Sequence, residues 1–194
     1  MKYEMIPEHG MFRIKALKTF NNVKEGDLGG LIEKENNLSQ EGICWVYKDA
    51  LISGNARIYG NAMVFGDVQV FGDAEVCGNA LVFGYARISG NAMVFGDAEV
   101  FGDAMVSGNA WISGNAKIYG NAVVNKTPFS VNRSDTYTFT LVKCTDEKLR
   151  VIAGCHYFTF EEAYQYWNNK RQGTDLQKET IMILKYLEGC AEIY

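Results

Sequence analysis

From Ala50 to Asn121 the chain repeats one six-residue pattern without a break: a small residue, a variable one, Ile or Val, another variable one, Gly, and then Asn or Asp. Twelve consecutive units fit A-x-[IV]-x-G-[ND], from ALISGN at 50–55 to AKIYGN at 116–121. The third position is Ile or Val and the fifth is Gly in every unit. Val68 alone breaks the Ala column, and Tyr85 alone breaks the Asn/Asp column. CWVYKD at 44–49 is a degenerate unit before the run, and Ala122–Asn125 begins another after it.

Side chains on a strand alternate faces, so the Ala and Ile/Val positions point inward while positions two and four point outward. Gly followed by Asn or Asp supplies a corner, because both residue types tolerate the left-handed backbone region. One such strand buries a single branched side chain and cannot stand alone. Stacking coils about 4.8 Å apart pairs every backbone amide with the coil above or below. The pattern therefore predicts a parallel β-helix over residues 44–125. These units resemble the hexapeptide-repeat family, whose members form a left-handed β-helix of triangular section with three hexads per turn. That resemblance implies the left hand, four complete coils from the twelve hexads, and a homotrimer as the expected assembly.

At three hexads per coil, outward residues eighteen positions apart share one flat face. One face carries Tyr47, Phe65, Phe83, Phe101 and Tyr119 at position four, beside Trp45, Met63, Leu81, Glu99 and Lys117 at position two. The second carries Ser53, Phe71, Ser89 and Ser107, and the third Tyr59, Cys77, Phe95 and Ser113. The first is the most apolar, and an open patch of that kind exceeds what a soluble monomer ordinarily exposes. If each ring hides about 100 Å² in a contact, each contributes on the order of 2 kcal/mol before entropic costs. Trp45, Tyr47, Met63, Phe65, Leu81, Phe83, Phe101 and Tyr119 are thus the candidate oligomer or partner interface. The covering surface is either another copy or the chain's own C-terminal part; the alternative is that the rings only stack on one another.

The flanks read differently. KYEMI and FRIKALKTF predict short strands around PEHG, and GDLGGLIE a third, giving a β cap over residues 1–43. After the last coil, Pro128 and NKTPFSVNRSD mark a boundary, and residues 126–194 predict a small α+β domain. TYTFTLVKC and KLRVIAGCHYF form an antiparallel pair around TDEK. Thr159 and Glu162 make a capping box for one helix. Thr174 caps a second, with Leu176, Thr180, Ile183, Leu184 and Leu187 on one face and Gly189 past its end. The run from RIKALKTF to LIEKENNLS, and AGCHYFTFEEA near the end, resemble hexapeptide-repeat proteins of bacteria, prophages and phages. From that resemblance follows an expected accessory role in phage–host conflict, binding a host protein or a small nucleotide signal.

Composition narrows the chemistry. A net charge of −4 gives no basic surface for phosphates, so nucleic acid is not an expected partner. No stretch reaches the roughly 18 apolar residues of a membrane span. The start lacks the layout of a secretory signal, and five cysteines without a C-x-x-C pair read as reduced thiols, so a cytoplasmic location is expected. Acyltransferases of the hexapeptide family use a catalytic His near the coils as general base. The two histidines here, His9 and His156, both lie outside the repeat, and three are needed for the carbonic-anhydrase type of metal site. Cys144 and Cys155 are expected as buried thiols on a small sheet rather than metal ligands. A Cys155–His156 nucleophile and base is disfavoured because adjacent strand residues face opposite ways. Asp67, Asp73, Asp97 and Asp103 fall at corners, where hydrogen bonding accounts for them. Arg57–Glu75 and Glu99–Lys117, one coil apart, are expected surface pairs. The expectation is a non-catalytic scaffold without metal or cofactor. The alternative is a hexapeptide-type acyltransferase holding an acyl-CoA between subunits.

Overall fold

The computed structural model describes residues 1–194. It is a mainly β, parallel-sheet β-solenoid of about five turns, followed by two C-terminal helices. Its three faces are three sheets. One continuous sheet passes through Leu51–Ile52, Gln69–Val70, Arg87–Ile88, Met105–Val106 and Ala122–Val124. A second joins Trp45–Val46, Met63–Gly66, Leu81–Gly84, Glu99–Val100 and Lys117–Ile118, and a third joins Arg57–Ile58, Glu75–Val76, Met93–Val94 and Trp111–Ile112. Pairing is parallel with an eighteen-residue register throughout: Phe65 lies opposite Phe83, Ile88 opposite Val106, Val76 opposite Val94. The axis is filled by the Ala and Ile/Val columns, which are buried along the whole run.

The coils begin earlier than the repeat. Leu31 and Ile32 pair in parallel with Leu51 and Ile52, Leu38 bridges Ile58, and Trp45–Val46 pairs with Met63–Val64. Residues 31–46 are thus a first coil, and the boundary expected at residue 44 falls inside it. Its corners are not Gly-Asn. Asn37 is instead buried, and its amide donates to the Gly54 and Ala56 carbonyls at 3.1 and 2.8 Å, standing in for a backbone strand. Before this coil, Tyr3–Glu8 and Met11–Ala16 form an antiparallel hairpin that continues through Leu28–Ile32 into the first sheet.

The corners differ from expectation in one respect. Every repeat Gly has positive φ, between 61° and 82°, whereas none of the repeat Asn or Asp residues does. The backbone amides of Asn55, Asn61, Asp73, Asn79, Asn91 and Asp97 donate to a Gly carbonyl one coil on (Asn79 to Gly96 at 2.8 Å), and several of the side chains link coils. Asn61 donates to Asn79 at 3.0 Å, and Asn79 to Asp97 at 2.9 Å. Gly takes the corner because its φ is positive there and because, at most corners, a Cβ would press on the backbone of the next coil.

The far end is plated by strand Thr138–Cys144, antiparallel to Ala122–Val124, and by Leu149–Ala153, antiparallel to Thr138–Cys144. Alternation splits this plate between two cores. Val142, Cys144 and Ile152 close the last coil, while Phe139, Leu141, Val151 and Ala153 pack on helices α1 (Phe160–Lys170) and α2 (Asp175–Ala191). The expected single strand KLRVIAGCHYF is broken after Ala153 by Gly154 at φ 61°, and His156–Phe158 turns back along it. A further strand, Ser130–Asn132, lies in the polar stretch read as a boundary. Thr159 and Thr174 cap their helices as expected, but α2 runs through Gly189 to Ala191, carried by the packing of Leu184, Leu187 and Cys190. Cys155 sits exposed at the Gly154 turn, which corrects its expected burial; Cys144 is buried.

Candidate functional site

The aromatic column exists, and the coil spacing sets its geometry. Phe65, Phe83, Phe101 and Tyr119 stack with centroids 5.0, 4.6 and 4.7 Å apart and planes within 11° of parallel. Those separations match the strand spacing of a sheet, since equivalent side chains on successive coils take equivalent orientations. Each stacked pair is worth roughly 0.5–1.5 kcal/mol beyond area burial. Tyr47 meets Phe65 edge-on at 6.0 Å and 84°. The rings are half-buried by one another, so each retains on the order of 50 Å² for a further contact, about 1 kcal/mol, half the amount the flat column suggests.

Both ends of the column are covered by the chain itself. Trp45 is only 1% exposed, packed edge-on by Phe20 at 5.5 Å and Tyr3 at 6.3 Å, and so leaves the candidate interface. The N-terminal strands and the loop after them fold over it. The Tyr47 hydroxyl donates to Asn22 at 2.6 Å, and the Asn21 amide reaches the Met63 sulfur at 3.8 Å. At the other end Tyr119 meets Tyr157 at 5.5 Å. The Tyr157 hydroxyl donates to Asn121 and lies 2.7 Å from the Cys144 sulfur. Burial pushes the Tyr119 hydroxyl well above the usual phenol range, and that oxygen has no hydrogen-bond partner. Between these covers, Phe65, Phe83, Phe101 and Leu81 form the face, edged by the Lys117–Glu99 pair at 2.7 Å.

The residues of the rejected chemistry are scattered. His9 occupies the hairpin turn at φ 49°, exposed, at one end of the rod. His156 belongs to the C-terminal plate, stacked 5.0 Å from Phe158, with the Tyr166 ring tilted against it at 4.4 Å. Burial lowers its pKa, with Lys170 adding to the shift. Arg57 and Glu75 pair across coils at 3.5 Å, as expected.

Sequence reasoning missed a polar cleft of about 720 Å³ between the first coil and the next. Lys34, Gln40, Asn55, Arg57 and Tyr59 line it. The cleft opens where the first coil replaces a hexad by the short helical turn Glu35–Asn37, a departure with no repeat signature. Its polar groups are satisfied internally: Lys34 donates to Asn55 at 2.7 Å, and Tyr59 to Glu75 at 2.8 Å.

No helix is long and apolar enough to cross a membrane. Residues 56–72 and 86–100 match the family model described as YdcK beta solenoid repeat. The chain is also 44% identical over 52 residues to a protein of Escherichia coli (strain K12) named "Uncharacterized acetyltransferase YdcK". That alignment covers 23% of this chain and 16% of the relative, so the chain spans a small part of that protein's length. The likeness is one of repeat architecture, and it agrees with the solenoid described above.

Proposed function

We propose that this protein is a non-catalytic scaffold that self-associates, as a homotrimer, through the face of Phe65, Leu81, Phe83 and Phe101. The observation that carries this reading is the continuous ring ladder, held flat by the coil register and covered by the chain's own segments only at its two ends. A flat, rigid, apolar face needs little ordering on docking, so modest area per ring is used efficiently. The rod then leaves its ends and corner edges free for a partner, a protein or a small nucleotide signal. The test is Phe83→Glu with mass measured in solution. Wild type is expected as an oligomer and the variant as a folded monomer; an unchanged assembly with unchanged stability refutes the interface.

The second reading, an acyl-CoA-dependent acyltransferase, is favoured by the printed name of the YdcK relative. Against it stands the placement of His9 and His156 away from the coil faces. Thermal shift with acetyl-CoA beside a panel of cyclic and linear nucleotides separates the two. A clear acetyl-CoA response favours the enzyme, and a nucleotide response favours the scaffold.

A further inference from the structure

Lysine is almost always solvated, yet Lys2 is only 1% exposed. The segment 38–44 of the first coil closes over it. Gln40 accepts from the Lys2 backbone amide at 2.8 Å, and the Tyr3 hydroxyl donates to the Leu38 carbonyl at 2.6 Å. Inside this closure the Lys2 amine donates to the Cys44 carbonyl at 2.9 Å, the Glu41 carbonyl at 3.2 Å and the Cys44 sulfur at 3.1 Å. The Phe20 ring lies 5.6 Å away. None of the chain's ion pairs involves Lys2. An ammonium buried without a carboxylate is expensive, so its seat against a thiol is not explained by charge pairing.

We infer that Lys2 and Cys44 are a modification site, joined under peroxide by a single oxygen atom bridging Sγ and Nζ. In the first step hydrogen peroxide oxidises the thiol to a sulfenic acid; the O–O bond breaks, an S–O bond forms, and water leaves. In the second, the neutral amine and the sulfenic oxygen are joined by an N–O bond. The amine loses one hydrogen and the sulfenic acid its own, and a second peroxide is reduced to two waters. Sulfur and then nitrogen each give up two electrons, and the sum is thiol plus amine plus two peroxides to the bridge plus three waters.

Geometry favours the bridged product over a direct S–N bond. One oxygen nearly spans the existing separation, whereas a direct bond would draw the two atoms far inside van der Waals contact. Burial lowers the Lys2 pKa, which raises the share of amine carrying a free lone pair. Access needs only local opening of the 38–44 segment, whose Ser39 and Glu41 carbonyls lie against the sulfur. The product would fasten the N-terminal hairpin to the first coil, the one coil not built from hexads.

The test uses the full chain treated with hydrogen peroxide, digested with trypsin and read by mass spectrometry. The exposed Cys155 serves as an internal gauge that oxidant was present. The expected product joins residues 1–13, uncut after Lys2, to residues 35–48. Its mass is the sum of the two peptides plus one oxygen less two hydrogens, and a thiol reductant splits it. Lys2→Arg should abolish the joined pair, while Lys18→Arg should leave it intact. The wild-type digest decides even if a variant fails to fold. Cys44 carried to sulfinic or sulfonic acid with Lys2 still cleaved overturns the inference. So does Cys155 fully oxidised with Cys44 untouched, or a joined pair that persists in Lys2→Arg.

Discussion

Glycine at the solenoid corners serves two physical demands, and two positions allow them to be measured apart. Gly78 and Gly114 share nearly the same backbone, with φ of 68° and 61°. A Cβ on Gly78 would meet the Gly96 nitrogen at 2.8 Å and its carbonyl oxygen at 3.1 Å, backbone atoms of the next coil. A Cβ on Gly114 would meet nothing within 4 Å. Alanine in the left-handed region costs roughly 1–2 kcal/mol at either site. Its stiffer unfolded chain returns about 0.4–1 kcal/mol. Gly114→Ala should therefore destabilise by no more than about 1.6 kcal/mol. Gly78→Ala must also push two coils apart or bend one, adding roughly 1–3 kcal/mol as overpacking does elsewhere. Its total should fall at about 1–4.6 kcal/mol, above the Gly114→Ala loss by the full overpacking cost. Urea unfolding followed by circular dichroism gives both values from the midpoints, provided the slopes agree. Equal losses in the two variants would show that coil-to-coil approach contributes nothing and that φ alone selects glycine.

Trp45→Ala should cost about 3–5 kcal/mol in the same urea assay, because it empties a site enclosed by Tyr3 and Phe20. Asn79→Ala should cost about 0.5–1 kcal/mol, since it removes an exposed link between Asn61 and Asp97. His156 has its pKa lowered in the folded state, so the unfolded chain takes up its proton first as pH falls through 6.5. Stability from this group is present above that pH and is lost below it. His156→Phe, which keeps an aromatic ring against Phe158 and Tyr166, should flatten the thermal midpoint between pH 7.5 and pH 5; a slope unchanged from wild type would show that His156 does not carry it.

The repeat was legible because one short rule, applied twelve times, states burial, turn and register together. Ala62, Val64 and Gly66 each reveal their roles from a column of identical neighbours. The first coil was hidden because each of its substitutes works through a distant partner. Gly29 and Gly30 sit where a Cβ would strike Ile14 and the Val46 and Ala50 carbonyls, contacts that local pattern does not encode. Asn37 takes its meaning from the Gly54 and Ala56 carbonyls. The aromatic face was visible as a column, but the cover over Trp45 comes from Tyr3 and Phe20, far along the chain. Gly189 misled for the opposite reason: its local preference for a helix end yields to the packing of Leu187 and Cys190 around it.

The eighteen-residue register also makes the molecule a ruler with an angular scale. Removing a whole coil, for example residues 80–97, would shorten the rod while every lateral column stayed in line. Removing a single hexad would shorten it less but swing the C-terminal plate by a third of a turn. Tyr157 would then leave the end of the ring ladder and face another side. Length and orientation of the two ends are thus set by integer counts of one unit, so changes in repeat number within such a chain are quantised in both.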